Sequence, residues 1–361
     1  MERENETKYW VAFHQAPYIG PVRLERLRRH FGGLAQAWNA DARALAAVLD
    51  ARAVESLLRT RRALNPDREL ERIIQGGIEA ISIEDPRYPR LLREISAPPP
   101  VLYVRGELTS ADETAVAIVG TRRATATGRE IAARLGEDLA AAGVTIVSGL
   151  ARGIDGAAHQ AALRADGRTI AVLGSGPDVI YPPEHRLLAE RIVERGAVLS
   201  DYPPGRKPDA MNFPARNRII SGLSLGVVLV EAPAKSGALI TADFAADQGR
   251  EVFVAPGGML AAASAGSNAL LRDGARAIGC ANDVLDDLRI GSARPEPIQQ
   301  LLPLDGDAGR LLALLSLEPT HIDDLAAAAG LDIAQAGALL MMLQLDGRVR
   351  DAGANHYIRS R

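Results

Sequence analysis

Seven short apolar runs between about Asp112 and Leu288 constrain this chain more than any other feature in it. They are Val116–Val119, Val144–Val147, Thr169–Leu173, Ala197–Leu199, Leu225–Val230, Glu251–Val254 and Ala275–Ile278. Each ends in Gly, Ser, Pro or an acidic residue and is followed by a helix-compatible stretch. Continuous apolar strands spaced by helices belong to a parallel sheet buried on both faces. The pattern predicts an α/β fold with a doubly wound parallel sheet over 112–288. Sheets of this kind bind ligands at the carboxyl ends of their strands, where the strand order reverses.

The flanks read differently. Residues 1–75 carry apolar positions at helical spacing, Val22, Leu24, Leu27 and Phe31, then Leu45, Val48, Leu49, Val54, Leu57 and Leu58. Residues 76–111 contain Asp85-Pro86-Arg87-Tyr88-Pro89 and Pro98-Pro99-Pro100. Prolines at that density exclude a helix and predict an extended connector packed on the core. A linker over 289–303 carries Pro295, Pro297 and Pro303. The remainder, 304–361, offers helices over Gly309–Leu317, Ile322–Ala329 (behind Thr320 as N-cap) and Ile333–Leu345. Arg348–Ile358, turning at Gly353, reads as a β-hairpin, and three helices with such a wing make a winged helix.

Charge narrows the function classes. Lys+Arg 42 against Asp+Glu 45 gives a net −3, so no whole-chain basic excess points to nucleic acid. The segment Pro21–Gln75 nevertheless holds 11 Arg against 7 acidic residues. Only three of the 42 basic residues are Lys, and Arg is the residue that grips phosphate with two prongs. A single cysteine, Cys280, excludes a disulfide framework and a Cys-based zinc site, and the six His show no paired ligand spacing. No metal and no cofactor are expected. The charged stretch Met1–Lys8 lacks a signal core and no apolar run spans a membrane, so a cytoplasmic chain with no membrane partner is expected.

Five constellations sit at the ends of the strands. In Ile118-Val119-Gly120-Thr121-Arg122-Arg123-Ala124-Thr125 a strand meets a turn and a helix that Thr125 or Thr127 can cap. Such a turn exposes N–H groups to an anion, and Arg122 adds a fork of donors. The plainer reading leaves Gly120 as a tight turn and Arg122 solvated. A second such turn, Val147-Ser148-Gly149-Leu150-Ala151-Arg152-Gly153-Ile154-Asp155, adds another nest. Ser148, Asp155 and His159 suggest a hydrolase, but no nucleophile elbow is present, and Asp155 and His159 at i, i+4 are expected to bond each other. Asn212-Phe213-Pro214-Ala215-Arg216-Asn217-Arg218 reads as a loop directly before an apolar strand that starts at Ile219-Ile220, with Arg206 and Lys207 upstream. Arginines beside an aromatic are equipped to hold a single strand, by charge for phosphates and a ring for bases. The alternative buries Phe213 and pairs the arginines with carboxylates such as Glu231. Lys235-Ser236-Gly237, leading to Thr241, and Ala255-Pro256-Gly257-Gly258 complete the rim. A polyanion fits so many Gly-bearing turns better than one mononucleotide does.

As a set these motifs resemble the DNA-processing protein A (DprA/Smf) family of natural transformation. The resemblance runs from Tyr88-Pro89 to Gly274-Ala275, through Pro99-Pro100-Val101-Leu102-Tyr103, Gly120-Thr121-Arg122, Ser148 to Asp155, Tyr181-Pro182, Phe213 to Arg218, Ser236-Gly237, Thr241-Ala242 and Val254 to Gly257. It implies an extended Rossmann-type sheet, a homodimer, and cooperative binding and protection of single-stranded DNA. It also implies loading of the RecA recombinase without catalytic turnover. The residues it assigns to DNA are Arg122, Ser148, Gly149, Lys207, Phe213, Arg216, Asn217, Arg218, Ser236, Gly237 and Thr241.

Pro17-Tyr18-Ile19-Gly20-Pro21-Val22 before a basic helix resembles the helix-hairpin-helix or sterile-alpha-motif-like module such proteins often carry. There Arg23, Arg26, Arg28 and Arg29 would meet a backbone, unless they simply form a solvated helix face. The main alternative is a nucleotide-processing enzyme of the LOG phosphoribohydrolase type, suggested by Pro256-Gly257-Gly258. Met259-Leu260-Ala261-Ala262 follows, with no acid until Asp273, which departs from that chemistry. A transcription factor led by the winged helix is a third reading. Its candidate recognition helix has no Lys or Arg, so the module is expected to be dispensable for gripping DNA.

Overall fold

The computed structural model describes residues 2–291, 306–316, 318–346 and 348–359. The chain divides into two compact units, 1–292 and 293–361. In the first, strands β1 (Glu79–Ser82), β2 (Val101–Gly106), β3 (Ala115–Val119), β4 (Thr145–Ser148), β5 (Thr169–Val172), β6 (Ala197–Ser200), β7 (Gly226–Leu229), β8 (Glu251–Val254) and β9 (Arg276–Ala277) form one sheet. Its order is β1-β2-β6-β5-β4-β3-β7-β8-β9. Strands β3 to β9 are the seven expected runs, each within one residue of the predicted bounds, and they pair in parallel. The chain walks outward from β3 to β6, then returns to lay β7 on the other side of β3. The switch point, and with it the place for a ligand, lies between β3 and β7.

Alternate residues of each strand enter two different cores. Ala115, Ala117 and Val119 pack with Ile219 and Ile220 of helix Asn212–Gly222. Val116 and Ile118 pack with Leu135 and Leu139 of helix Ala126–Ala141. Each such Val, Ile or Leu side chain fully removed from water stabilises the fold by about 1.5–3 kcal/mol, which is why these strands read as unbroken apolar runs.

The expected connector over 76–111 is instead the antiparallel end of the sheet. β1 pairs with β2, and β2 pairs with β6. Ala80, Val101 and Tyr103 face a helical core built around Trp10, Phe13, Leu24 and Leu57, whereas Ile81, Leu102 and Val104 face the sheet core. This alternation joins the N-terminal helices to the sheet as one unit. The prolines lie between β1 and β2, where Pro89 stands directly before a short helix, Arg90–Arg93. In the basic helix Pro21–Phe31, Arg23 is paired with Asp50, and Arg28 and Arg29 with Glu25.

The second unit packs helices Gly306–Leu314, Ile322–Ala329 and Ile333–Leu345 around Leu311, Leu325, Leu340 and Leu343. A small sheet completes it, β10 (Thr320–His321), β11 (Val349–Gly353) and β12 (His356–Arg359), in the order β10-β12-β11. His321, rather than Thr320, caps the second helix, and Ala354 and Asn355 make the hairpin turn with positive φ. The linker over 289–303 falls, from 292 onward, outside the described residues. Among the described residues no single helix is long and apolar enough to cross a membrane.

His159, on helix Ile154–Arg164, has no exposed surface. Thr169 donates its hydroxyl to the Ile146 carbonyl at 2.7 Å, so it accepts from His159 Nδ1 at 2.6 Å. Nε2 is left buried with no partner. Burial first, then the neighbouring His185 and Arg216, push the imidazole down to about 3 from an ordinary 6.5. The unfolded chain therefore takes up this proton before the folded one does. The stability it confers is complete above pH 6.5 and is lost as pH falls from 6.5 toward 3. Between pH 7 and pH 5 the loss from this residue is about 2 kcal/mol. Urea unfolding read by Trp10 and Trp38 should show that dependence, and His159→Leu should be flatter by about that amount. Equal slopes in the two proteins would refute the assignment.

Candidate functional site

Between the loops after β3 and β7 an open groove of about 690 Å³ lies at the switch point. Its construction starts with a carboxylate. Glu231, at the end of β7 and 6% exposed, accepts from the Thr125 backbone N–H and from the Thr125 hydroxyl, both at 2.8 Å. Thr125 in turn caps the helix Ala126–Ala141 by accepting from Gly128 N–H at 2.9 Å. The Glu231 backbone carbonyl also accepts from Thr121 N–H at 2.7 Å. A Cβ on Gly128 would come within 2.6 Å of the Glu231 carboxylate, so a larger residue there would displace that carboxylate from Thr125. The first expected phosphate nest is thus filled by the chain's own anion.

The second nest is filled in the same way. Asp155, buried at the start of helix Ile154–Arg164, accepts from the N–H groups of Gly149 (3.1 Å) and Ala151 (3.3 Å). It does not bond His159. Burial pushes its carboxyl up from the ordinary range, against the pull of Arg216 and those two N–H groups. Leu150, between them, is held at φ 56° with its carbonyl 2.9 Å from His185 Nδ1, a strained turn of the kind that occurs at functional sites.

Three expected DNA-facing side chains turn inward. The Ser148 hydroxyl donates to the Ile118 carbonyl at 2.6 Å and is wholly buried. Asn212–Gly222 is a helix, not a loop before a strand, and it carries Arg216 into the interior, 4% exposed. There Arg216 donates to the Gly149 carbonyl at 2.8 Å, to the Val172 carbonyl, and to Asn217 Oδ1 at 3.1 Å. A Cβ on Gly149 would lie 2.2 Å from this guanidinium, so a larger residue there would push Arg216 off its carbonyl partners. Arg218, one residue past Asn217, points off the groove and pairs with Asp201 at 2.6 Å. Neither arginine pairs with Glu231. Asn217 and Thr241 line the groove but are 9% and 1% exposed, and Asn217 Nδ2 donates to the Gly237 carbonyl. Lys207 is exposed on the loop whose Pro208 and Ala210 reach the groove.

The groove does gather Arg122, Phe213, Ser236 and Gly237, and the buried Arg216 lines its floor and that of the adjoining recess. The exposed Arg122 guanidinium lies 5.1 Å over the Phe213 ring, and Tyr181 leans on that ring at 5.6 Å and 40°. Arg123 and Lys235, both exposed, extend the positive rim, and neither they nor Arg122 enter an ion pair among the described residues. These neighbours, with Tyr181, Asp155 and Glu231, were absent from the sequence-based set of DNA-facing residues, although Arg123, Lys235, Tyr181 and Asp155 stand within the motifs that supplied it. On the far side Arg152 is held by Glu184 at the mouth of a narrow recess that Arg122, Tyr181 and Phe213 also line. The Pro256-Gly257-Gly258 turn is closed internally, as Asn268 exchanges hydrogen bonds with Gly257 N–H (3.1 Å) and C=O (3.0 Å). The arrangement offers exposed cations and ring faces, while its carboxylates are consumed by backbone N–H groups.

Comparison with known proteins identifies the family. The family described as DNA recombination-mediator protein A matches residues 79–289, and the DprA winged helix domain matches residues 294–355. Protein Smf of Synechocystis sp. is 39% identical across 98% of this chain and 99% of its own length. The X-ray structure of DNA processing protein A from Streptococcus pneumoniae has a TM-score of 0.70 at 34% identity, covering 78% of this chain and 97% of that one. The protein from Helicobacter pylori, described for a unique single-stranded DNA binding mode, has a TM-score of 0.53 at 33% identity, covering 59% and 95%. With a relative alike over nearly its whole length and a family match over more than half of it, the chain belongs to the DNA recombination-mediator protein A family.

Proposed function

We propose that this chain binds single-stranded DNA in the groove between β3 and β7. It protects the incoming strand during natural transformation and homologous recombination, and it loads the RecA recombinase onto it. On this reading it acts as a homodimer and without catalytic turnover. The observation that carries the DNA reading is the Arg122–Phe213–Tyr181 stack beside Arg123 and Lys235. Rings accept any base and exposed cations follow a backbone, so binding is strong for a single strand and weakly dependent on sequence. Glu231 and Asp155 occupy the two helix starts that would otherwise hold a mononucleotide phosphate. The same engagement leaves no free carboxylate there for the acid–base work of a phosphoribohydrolase. The RecA and homodimer assignments rest on family membership. The test of the reading is a salt titration of single- against double-stranded oligonucleotides, and equal affinity for both would overturn it.

Two variants separate the two halves of the grip. Arg122→Ala should weaken binding and flatten the salt dependence by about 0.7 in log–log slope, one phosphate contact on a single strand. Phe213→Ala should cost about 1–3 kcal/mol of stacking with the slope unchanged. Arg218→Ala should instead lower folding stability, because it strands Asp201 beneath the surface. If Arg218→Ala changes the salt slope and Arg122→Ala does not, the site has been drawn on the wrong face.

Glu184→Gln probes the recess. Releasing Arg152 from its exposed ion pair, worth about 0–1 kcal/mol, makes a further cation available to phosphate. Affinity should rise by up to about fivefold and the slope should steepen by about 0.7. The gain should vanish when Arg152→Ala is added, and a gain that persists would place the effect elsewhere.

A further inference from the structure

Winged helices usually meet duplex DNA through their second recognition helix, and here that helix is Ile333–Leu345. Ala336, Leu340 and Leu343 point into the module core. The opposite face carries Ala334, Ala338, Met341 and Met342, at i, i+4, i+7 and i+8, all exposed. Met341 and Met342 are 68% and 61% exposed, and Ile333 at the helix start is 57% exposed. An outward helical stripe of this kind, with no charge on it, is an interaction surface.

What borders the stripe sets its partner. From Thr320 to Asp346 the sequence holds four acidic residues and no Lys or Arg. The side chain of Ile322 lies 3.7 Å from where a Cβ on Gly337 would sit, so the helix Ile322–Ala329 begins alongside the middle of the recognition helix. Exposed Asp323 and Asp324 therefore flank the stripe on that side. Asp323 is 3.5 Å from His321, and Asp332 caps the helix start by accepting from Gln335 N–H at 2.8 Å while remaining exposed. A phosphate backbone is repelled by such a border, and so is an anionic bilayer. The small side chains of Ala334, Gly337 and Ala338 allow a partner backbone to come close, and the two methionines adapt to its side chains.

We propose that this face docks an amphipathic helix of a partner protein, apolar toward the stripe and basic toward Asp323, Asp324 and Asp332. The proposal does not depend on DNA binding in the groove. The probe is a labelled peptide of about 16 residues, with leucines at helical spacing on one face and arginines beside them, titrated into the full chain by fluorescence anisotropy. Its twin carries glutamate for each arginine. The basic peptide should bind with a dissociation constant of order 10 µM and the acidic twin at least about tenfold more weakly.

Met341→Glu with Met342→Glu should abolish binding. Asp324→Asn should weaken it by about two- to threefold and reduce its salt sensitivity. If the glutamates unfold the module, seen as a lost thermal transition, Met341→Gln with Met342→Gln makes the same test. Binding that ignores the peptide's charge or these substitutions, or no binding at all, overturns the proposal. So does a duplex oligonucleotide whose affinity falls with the methionine substitutions.

Discussion

Glu231 ends the strand that opens the second half of the sheet, and its carboxylate reaches across to the helix that follows the first strand of the parallel core. It accepts twice from Thr125, and its own backbone carbonyl takes the Thr121 N–H. A carboxylate buried to this degree survives only with such donors. The positive end of the helix Ala126–Ala141 adds to its stability there. This one side chain ties the two halves of the fold at the switch point. Because it satisfies the helix start, the turn that carries Arg122 has no inward partner to serve, and Arg122 is directed onto the Phe213 ring instead.

The consequence is a division between anions that build the site and cations that use it. In a mononucleotide pocket the helix N-termini hold phosphate directly. Here two such termini are neutralised from within, by Glu231 and Asp155, and the proposed function assigns recognition to side chains on exposed loops. Backbone N–H groups in a fixed nest select one phosphate in one place. Long, exposed side chains over a ring can follow a flexible polymer whose phosphates vary in position. Such side chains contribute modestly one at a time, so affinity has to come from several contacts along a strand and has to depend on salt.

The parallel sheet was legible because its strands are buried on both faces and so spell continuous apolar runs. The edge was not. β1 and β2 serve two cores with alternate residues, and the prolines between them mask the strands at either end. At the groove the sequence names loops that line it but does not sort their arginines. Arg122, Arg216 and Arg218 look alike in a motif, yet one is exposed on an aromatic ring, one is buried and donates to the Gly149 and Val172 carbonyls, and one is paired with Asp201. What separates them is the helical phase of Asn212–Gly222. Residues 216 and 218 are about 200° apart on that helix, so they could not both face the same strand. Reading that segment as a loop before a strand removed the one constraint that would have told them apart. The carboxylates escape for a related reason: helical spacing assigns Asp155 to His159, and charge assigns Glu231 to the arginines, whereas both carboxylates accept from backbone N–H groups of the turns.

The buried arginine follows from the same economy. A guanidinium has five donors in a rigid fork and holds its charge when buried better than an ammonium would. Arg216 uses that fork to close the carbonyls left by a turn in which Leu150 sits at positive φ, with Asp155 close enough to offset part of the desolvation that burial imposes. The strained turn, the glycine at 149 that clears the guanidinium, and the aspartate that takes the neighbouring N–H groups therefore depend on one another. Arg216 thus shapes the floor of the groove, and the exposed charge at its rim comes from Arg122, Arg123 and Lys235.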